Sequence, residues 1–140
     1  MSSSSDFLLA EDVPAADASP MVAITAIRKG VSIDVLLAVK EAMRLTDTEL
    51  ANIVRVPKRT LTRRKQEGVL RPDESERALR LLRLVRHAES VFGSTEGARD
   101  WMRTPNIALG EEPPLQFADT EPGARRVNQL LGQIEHGVAL

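Results

Sequence analysis

The chain has 140 residues, with 19 Lys and Arg against 20 Asp and Glu, and no cysteine. This length allows one domain or two small ones around a modest core, and the missing thiols exclude disulfides, thiolate zinc sites and cysteine nucleophiles. One Trp, three Phe and no Tyr are too few rings for a protein that stacks on unpaired bases, which argues against RNA-recognition and oligonucleotide-barrel classes.

Residues 1–20 are rich in Ser, Ala, Asp and Pro, with Phe7, Leu8 and Leu9 as the main apolar exceptions, and read as a disordered or loosely attached arm. The start lacks a basic stretch followed by a hydrophobic one, and no apolar run is long enough to cross a membrane, so a cytoplasmic protein is expected. Gly30-Val31-Ser32 reads as a turn with Ser32 as a helix cap. Val35, Leu36, Val39 and Met43 then recur at helical spacing.

The stretch from Thr46 to Arg64 has the form of a helix-turn-helix. Thr46 with Glu49 three residues on makes a capping box. Leu50, Ile53 and Val54 supply one apolar side, and Ala51 is small enough to let a second helix cross closely. Pro57 separates the helices, Leu61 points inward, and Gly68 stops the second helix. Lys58, Arg59, Thr60, Thr62, Arg63 and Arg64 are left for solvent or for nucleic acid, and are the candidate DNA-binding residues. Arg55 stands at the turn, where glycine would accept positive φ more easily, at a cost on the order of 1 kcal/mol if the backbone is left-handed. From Arg28 to Arg86 there are 15 basic and 8 acidic residues, whereas both flanks are net acidic. Phosphate neutralisation depends on such local charge rather than on the total.

After Leu70-Arg71-Pro72, Asp73 with Glu76 is a second capping-box candidate for a helix over about 74–92. That helix carries Leu79, Leu82, Val85, Ala88 and Phe92 on one side and Leu81, Leu84 and Val91 beside them, a sector broad enough for a central position or a dimer face. Arg77, Arg80, Arg83 and Arg86 occupy the opposite side. Gly93 and Ser94 end this helix and cap a next one with Ala98, Trp101 and Met102 on its apolar edge. Thr104-Pro105-Asn106 breaks it, and 107–117 reads as an ordered loop with room for one helical turn, anchored by Leu109, Leu115 and Phe117. Thr120 caps a last helix bearing Val127, Leu130, Leu131 and Ile134, which Gly137 ends. No segment alternates like a strand, so the expected fold is an all-α helical bundle. His87 and His136 read as ordinary surface or helix-end histidines, and no metal cluster, paired-histidine motif or glycine-rich phosphate loop suggests an enzyme or a cofactor.

Trp101, Pro105-Asn106, Ala108-Leu109-Gly110, Pro114-Leu115, Thr120, Gly123, Val127, Leu130-Leu131, Ile134 and Gly137 together resemble the toxin-binding domain of the Xre/MbcA/ParS-type antitoxin family. Leu61, Arg63-Arg64, Gly68, Leu70 and Glu74-Ser75-Glu76-Arg77 match the same pattern. The sequence departs from it at Glu111, where many relatives have a second glycine, and at Arg55. The resemblance covers about residues 30–138; with the arm (1–20) it gives an expected division into a helix-turn-helix DNA-binding region (21–71) and a helical toxin-binding and dimerisation domain (72–140). It implies a type II antitoxin that inhibits a RES-domain, NAD-degrading toxin and represses its own operon, binding operator DNA, its second partner, as a homodimer. The implied toxin contacts are Gly110, Glu111 and Pro113 in the loop, and Gln133, Ile134, His136, Gly137, Val138, Ala139 and Leu140 at the end of the last helix. The competing reading is a free-standing helix-turn-helix regulator whose C-terminal half senses a ligand or only dimerises.

Overall fold

The first helix in the computed structural model, which describes residues 19–137, is α1 (Pro20–Lys29). Ser19 accepts a hydrogen bond from the Val22 amide, and Pro20, which has no amide hydrogen to satisfy, takes a first-turn position. This helix was not expected from periodicity, although its Ser-Pro start and Gly30 stop are both in the sequence. The arm lies outside the described residues up to position 18.

Seven further α-helices follow among the described residues: α2 (Asp34–Met43), α3 (Asp47–Val54), α4 (Lys58–Glu67), α5 (Pro72–Phe92), α6 (Thr95–Arg103), α7 (Pro114–Phe117) and α8 (Glu121–Glu135), with a 3-10 turn at Ile107–Leu109. The all-α expectation holds. Extended pairing among the described residues is confined to two isolated bridges, Ser32 with Val69 and Asn106 with Glu112. The first aligns the entry to α2 with the exit from α4, reinforced by Ile33 donating to Gly68 and Leu70 donating to Val31. At Gly30, φ is +92° and a Cβ would stand 2.6 Å from the Leu70 carbonyl oxygen, so both the turn and the close approach require glycine.

Helix α5 is the centre of the molecule. It packs against α1, α2, α3, α6 and α8, with Ala78, Leu79, Leu81, Leu82, Leu84, Val85 and Ala88 all buried. Each fully buried Leu or Val contributes roughly 1.5–3 kcal/mol, so the broad apolar sector is used inside the protomer rather than as a dimer face. The helix begins at Pro72, two residues before the expected position. Its N-cap is Arg71, whose amide donates to the Glu74 carboxylate at 2.9 Å, and the Asp73 and Glu76 pair does not form the capping box.

Arginines from the second half of the chain close the helices of the first. Arg77 Nε donates to the Val54 carbonyl at 2.7 Å and Nη2 to that of Arg55 at 3.4 Å, at the end of α3. Arg99 Nη1 donates to Ala42, and Arg103 Nη1 to Met43 and Arg44, at the end of α2. These are terminal carbonyls with no partner inside their own helices, where a positive charge also complements the helix dipole. The residues after both helices are left-handed, with φ of +53° at Arg44 and +57° at Arg55. The expected strain at the Arg55 turn is therefore present, and Arg77 binds the carbonyls that flank it.

Candidate functional site

The helix-turn-helix forms as the capping pattern requires. Thr46 Oγ1 accepts from the Glu49 amide at 3.1 Å, and Glu49 Oε1 accepts from the Thr46 amide at 2.9 Å. Glu49 Oε2 also takes a bond from Arg103 at 3.0 Å, and the Thr46 amide and Arg103 together hold its carboxyl below the usual range. Asp47 bridges Lys65 of α4 and Lys40 of α2, each at 3.0 Å, which lowers its carboxyl pKa and fixes α4 against α2 and α3.

On α4 the six candidate residues separate into different roles. Lys58, Arg59, Thr62 and Arg63 are exposed, and no ion pair or side-chain hydrogen bond engages Lys58, Arg59 or Arg63 among the described residues. Thr62 donates its hydroxyl hydrogen to the Lys58 carbonyl, leaving its oxygen as an acceptor, and Thr60 is half-buried. Arg64 departs from the expectation. It is 5% exposed, and its Nε and Nη2 grip Glu74 Oε1 and Oε2 at 2.7 and 3.0 Å, with Nη1 on Glu67 at 3.0 Å. Burial by itself would raise the Glu74 carboxyl pKa, but Arg64 and the Arg71 amide outweigh it and hold it below the ordinary value. Helical spacing places Arg64 on the side of α4 turned toward α5, so it is a fastening and not a nucleic-acid contact.

The exposed cations cluster at the start of α4, which has no acidic residue in its first turn and no side-chain cap. Lys58 and Arg59 thus stand at the positive end of the helix dipole, an arrangement that costs a few tenths of a kcal/mol or more per cation in isolation. A phosphate would turn that cost into attraction.

The loop candidates belong to a tight structure between α6 and α7. Asn106 Oδ1 accepts from the Ala108 amide, the Asn106 carbonyl accepts from Leu109 and Glu111, and the Asn106 amide donates to Glu112. Gly110 and Glu111 both have φ of +67°. Gly110 and Glu111 are exposed, while Pro113 is half-buried in a cleft of about 370 Å3 whose walls include Asn52 and Ile53 of α3 and Arg103 of α6.

At the other end, α8 packs along α5 through Val127, Leu130 and Leu131. His87 is 2.9 Å from Asn128 Oδ1 and 3.6 Å from Glu135, tying α5 to α8. Gln133 and Ile134 are half-buried, and His136 and Gly137 exposed; Val138, Ala139 and Leu140 lie outside the described residues. Glu112 and Gly123 line a common cavity of about 390 Å3, so the loop adjoins the start of α8. At 1.5 Å per residue, Gly137 is about 20 Å further along. The structure therefore places the described members of the two sets of candidate partner contacts at opposite ends of α8.

Trp101 is half-buried, tilted against Phe92 with ring centroids 5.7 Å apart, as a packing residue would be.

Two family models match the chain. Residues 22–83 match the antitoxin Xre-like helix-turn-helix domain, and residues 87–137 match the antitoxin Xre/MbcA/ParS C-terminal toxin-binding domain. They meet within α5. The chain is 37% identical over 119 residues to an Antitoxin Xre of Yersinia enterocolitica, covering 84% of this chain and 80% of that protein. It is 32% identical over 117 residues to an Antitoxin Xre of Pseudomonas putida, covering 83% and 72%. It is also 28% identical over 130 residues to a protein of a Sphingobium species named Prs ADP-ribosylating antitoxin, covering 86% and 82%. The fold is similar to that of a chain in the crystal structure of the Mycobacterium tuberculosis MbcT-MbcA toxin-antitoxin complex, with a TM-score of 0.59 and 22% identity over 77% of this chain and 96% of that one. The chain belongs to the Xre antitoxin family, and it is the antitoxin of a toxin-antitoxin system.

Proposed function

We propose that the protein neutralises a RES-domain, NAD-degrading toxin through its C-terminal half and represses its own operon by placing α4 in a DNA major groove. The observation that carries the DNA reading is the set of unengaged cations, Lys58, Arg59 and Arg63, on one exposed face of α4 at a helix start without an acid. Arg64, Lys65 and Arg77 hold that helix and its turn against the body, which is the preorganisation that groove reading needs. The toxin reading is supported by the match of residues 87–137 to a toxin-binding domain. The proposed role is stoichiometric inhibition rather than catalysis, exercised in the cytoplasm. A homodimer would supply the two half-sites a helix-turn-helix reads, and Met21, Val22 and Ile24, exposed on α1, offer it apolar surface outside the toxin-binding half.

Co-expression with the product of the neighbouring gene tests the first claim. A stable complex and rescued growth are expected; a neighbour that is neither toxic nor retained would leave the free-standing regulator. Operator binding by Arg63→Ala tests the second. Affinity should fall and the salt dependence flatten by about one phosphate contact, and an unchanged affinity would remove α4 as the reader.

A further inference from the structure

Ile107 is 86% exposed, the highest value among the large hydrophobic residues of the described structure. Apolar side chains of the preceding helix, of the same turn and of α7 behave differently: Leu109 is 3% exposed, Leu115 2%, and Ala98 and Met102 are fully buried. The half of the chain that contains Ile107 thus buries its hydrophobic residues efficiently, and this one stands outside that pattern.

Its support is rigid. Ile107 opens the 3-10 turn whose cap is Asn106, and the Asn106 side chain and both its backbone groups are engaged by Ala108, Leu109, Glu111 and Glu112. The chain then passes through two consecutive left-handed residues, one of them Glu111, which adopts φ of +67° without glycine's freedom. A strained backbone persists where its surroundings over-determine it, and such strain concentrates at sites that must present a fixed shape. Ala108, next to Ile107, and Gly110, at the end of the same turn, are both exposed and small enough to let another surface approach closely, and Glu111 and Glu112, also exposed, follow them with charge. An apolar projection with small neighbours and a polar rim is the anatomy of an interface anchor.

We infer that Ile107 is the anchor residue of the toxin interface, entering an apolar socket on the partner protein. This rests on the proposed toxin binding and adds to that interface the loop end of the domain, about 20 Å along α8 from the helix terminus. Because the anchor is already exposed and held by its own loop, little ordering entropy opposes its insertion.

The test is the affinity of the full-length antitoxin for the toxin encoded beside it, with Ile107→Ala and Ile107→Asp compared with wild type by calorimetry, and with melting temperature and oligomeric state measured for each free protein. Loss of an anchor should weaken binding at least about tenfold for alanine and further for aspartate, with melting and oligomeric state unchanged because the side chain packs on little of its own protein. Toxin affinity within about twofold of wild type for both variants would overturn the inference, as would an altered oligomeric state with intact toxin binding, which would make Ile107 a self-association contact. Failure of the wild-type protein to bind the toxin at all is a separate result, and would overturn the toxin reading on which the inference stands.

Discussion

Replacing Arg64 by alanine should cost stability rather than a DNA contact. The guanidinium makes two bonds to Glu74 at 2.7 and 3.0 Å and one to Glu67, with the Arg64 and Glu74 side chains 6% and 7% exposed. Its removal leaves a carboxylate buried with the Arg71 amide as its remaining hydrogen-bond donor. Breaking a buried pair from one side costs about 3–5 kcal/mol, because the surviving charge loses its compensation. For a chain of this length about 1 kcal/mol moves the melting temperature by roughly 3–5 °C, so a fall of about 10–20 °C is expected in thermal denaturation followed by circular dichroism. The double variant Arg64→Met with Glu74→Leu removes both charges, and should recover most of the loss. Arg63→Ala, one position away and exposed, should melt like the wild type. An Arg64→Ala protein melting within about 2 °C of wild type would refute the buried pair as the fastening of α4 to α5. A double variant no better than the single one would show that the cost lies in lost packing and not in the stranded carboxylate.

Gly123→Ala should destabilise the start of α8, because a Cβ there would lie 1.9 Å from the Phe117 carbonyl oxygen; a loss of about 1–3 kcal/mol in urea unfolding is expected, and a loss under about 0.5 kcal/mol would mean that α7 and α8 can move apart freely. Acid should unfold the protein through Asp47, Glu49 and Glu74, whose folded pKa values are all lowered. Their contribution is complete above the ordinary carboxylate values near about 4 and is lost as pH falls below them through the folded values, so melting temperature should be flat from neutrality to about pH 5 and drop below it, whereas a drop already complete at about pH 5 would contradict these pairings. Deleting residues from 137 onward should leave operator affinity unchanged and weaken neutralisation; full protection of cells by the truncated protein would show that the end of the chain takes no part.

Local rules made most helices of this protein readable without coordinates. Thr46 with Glu49, Ser94, Thr120, Gly68 and Gly93 mark helix ends by bonds that span three or four residues, so sequence neighbours suffice to specify them. Periodicity likewise identified the buried faces of α2, α5 and α8. The all-α class followed from these signals, as did the family, through the spacing of its Trp, Pro and Gly positions. Helix α1 escaped because its exposed Met21, Val22 and Ile24 do not draw an amphipathic stripe, although its Ser19 cap and Pro20 were in view.

Only the tertiary structure decided what the arginines do. Arg63 and Arg64 are adjacent and chemically identical, yet one faces outward and the other is closed on Glu74, because the start of α5 lies against one side of α4 only. Arg77, Arg99 and Arg103 reach carbonyls 22 to 60 residues away in sequence, pairings that no periodic pattern encodes. The separation of the loop from the end of α8 is of the same kind. A cap or a stripe is a property of neighbours along the chain, whereas the partner of a long cation and the distance between two surfaces are fixed only when the helices have packed.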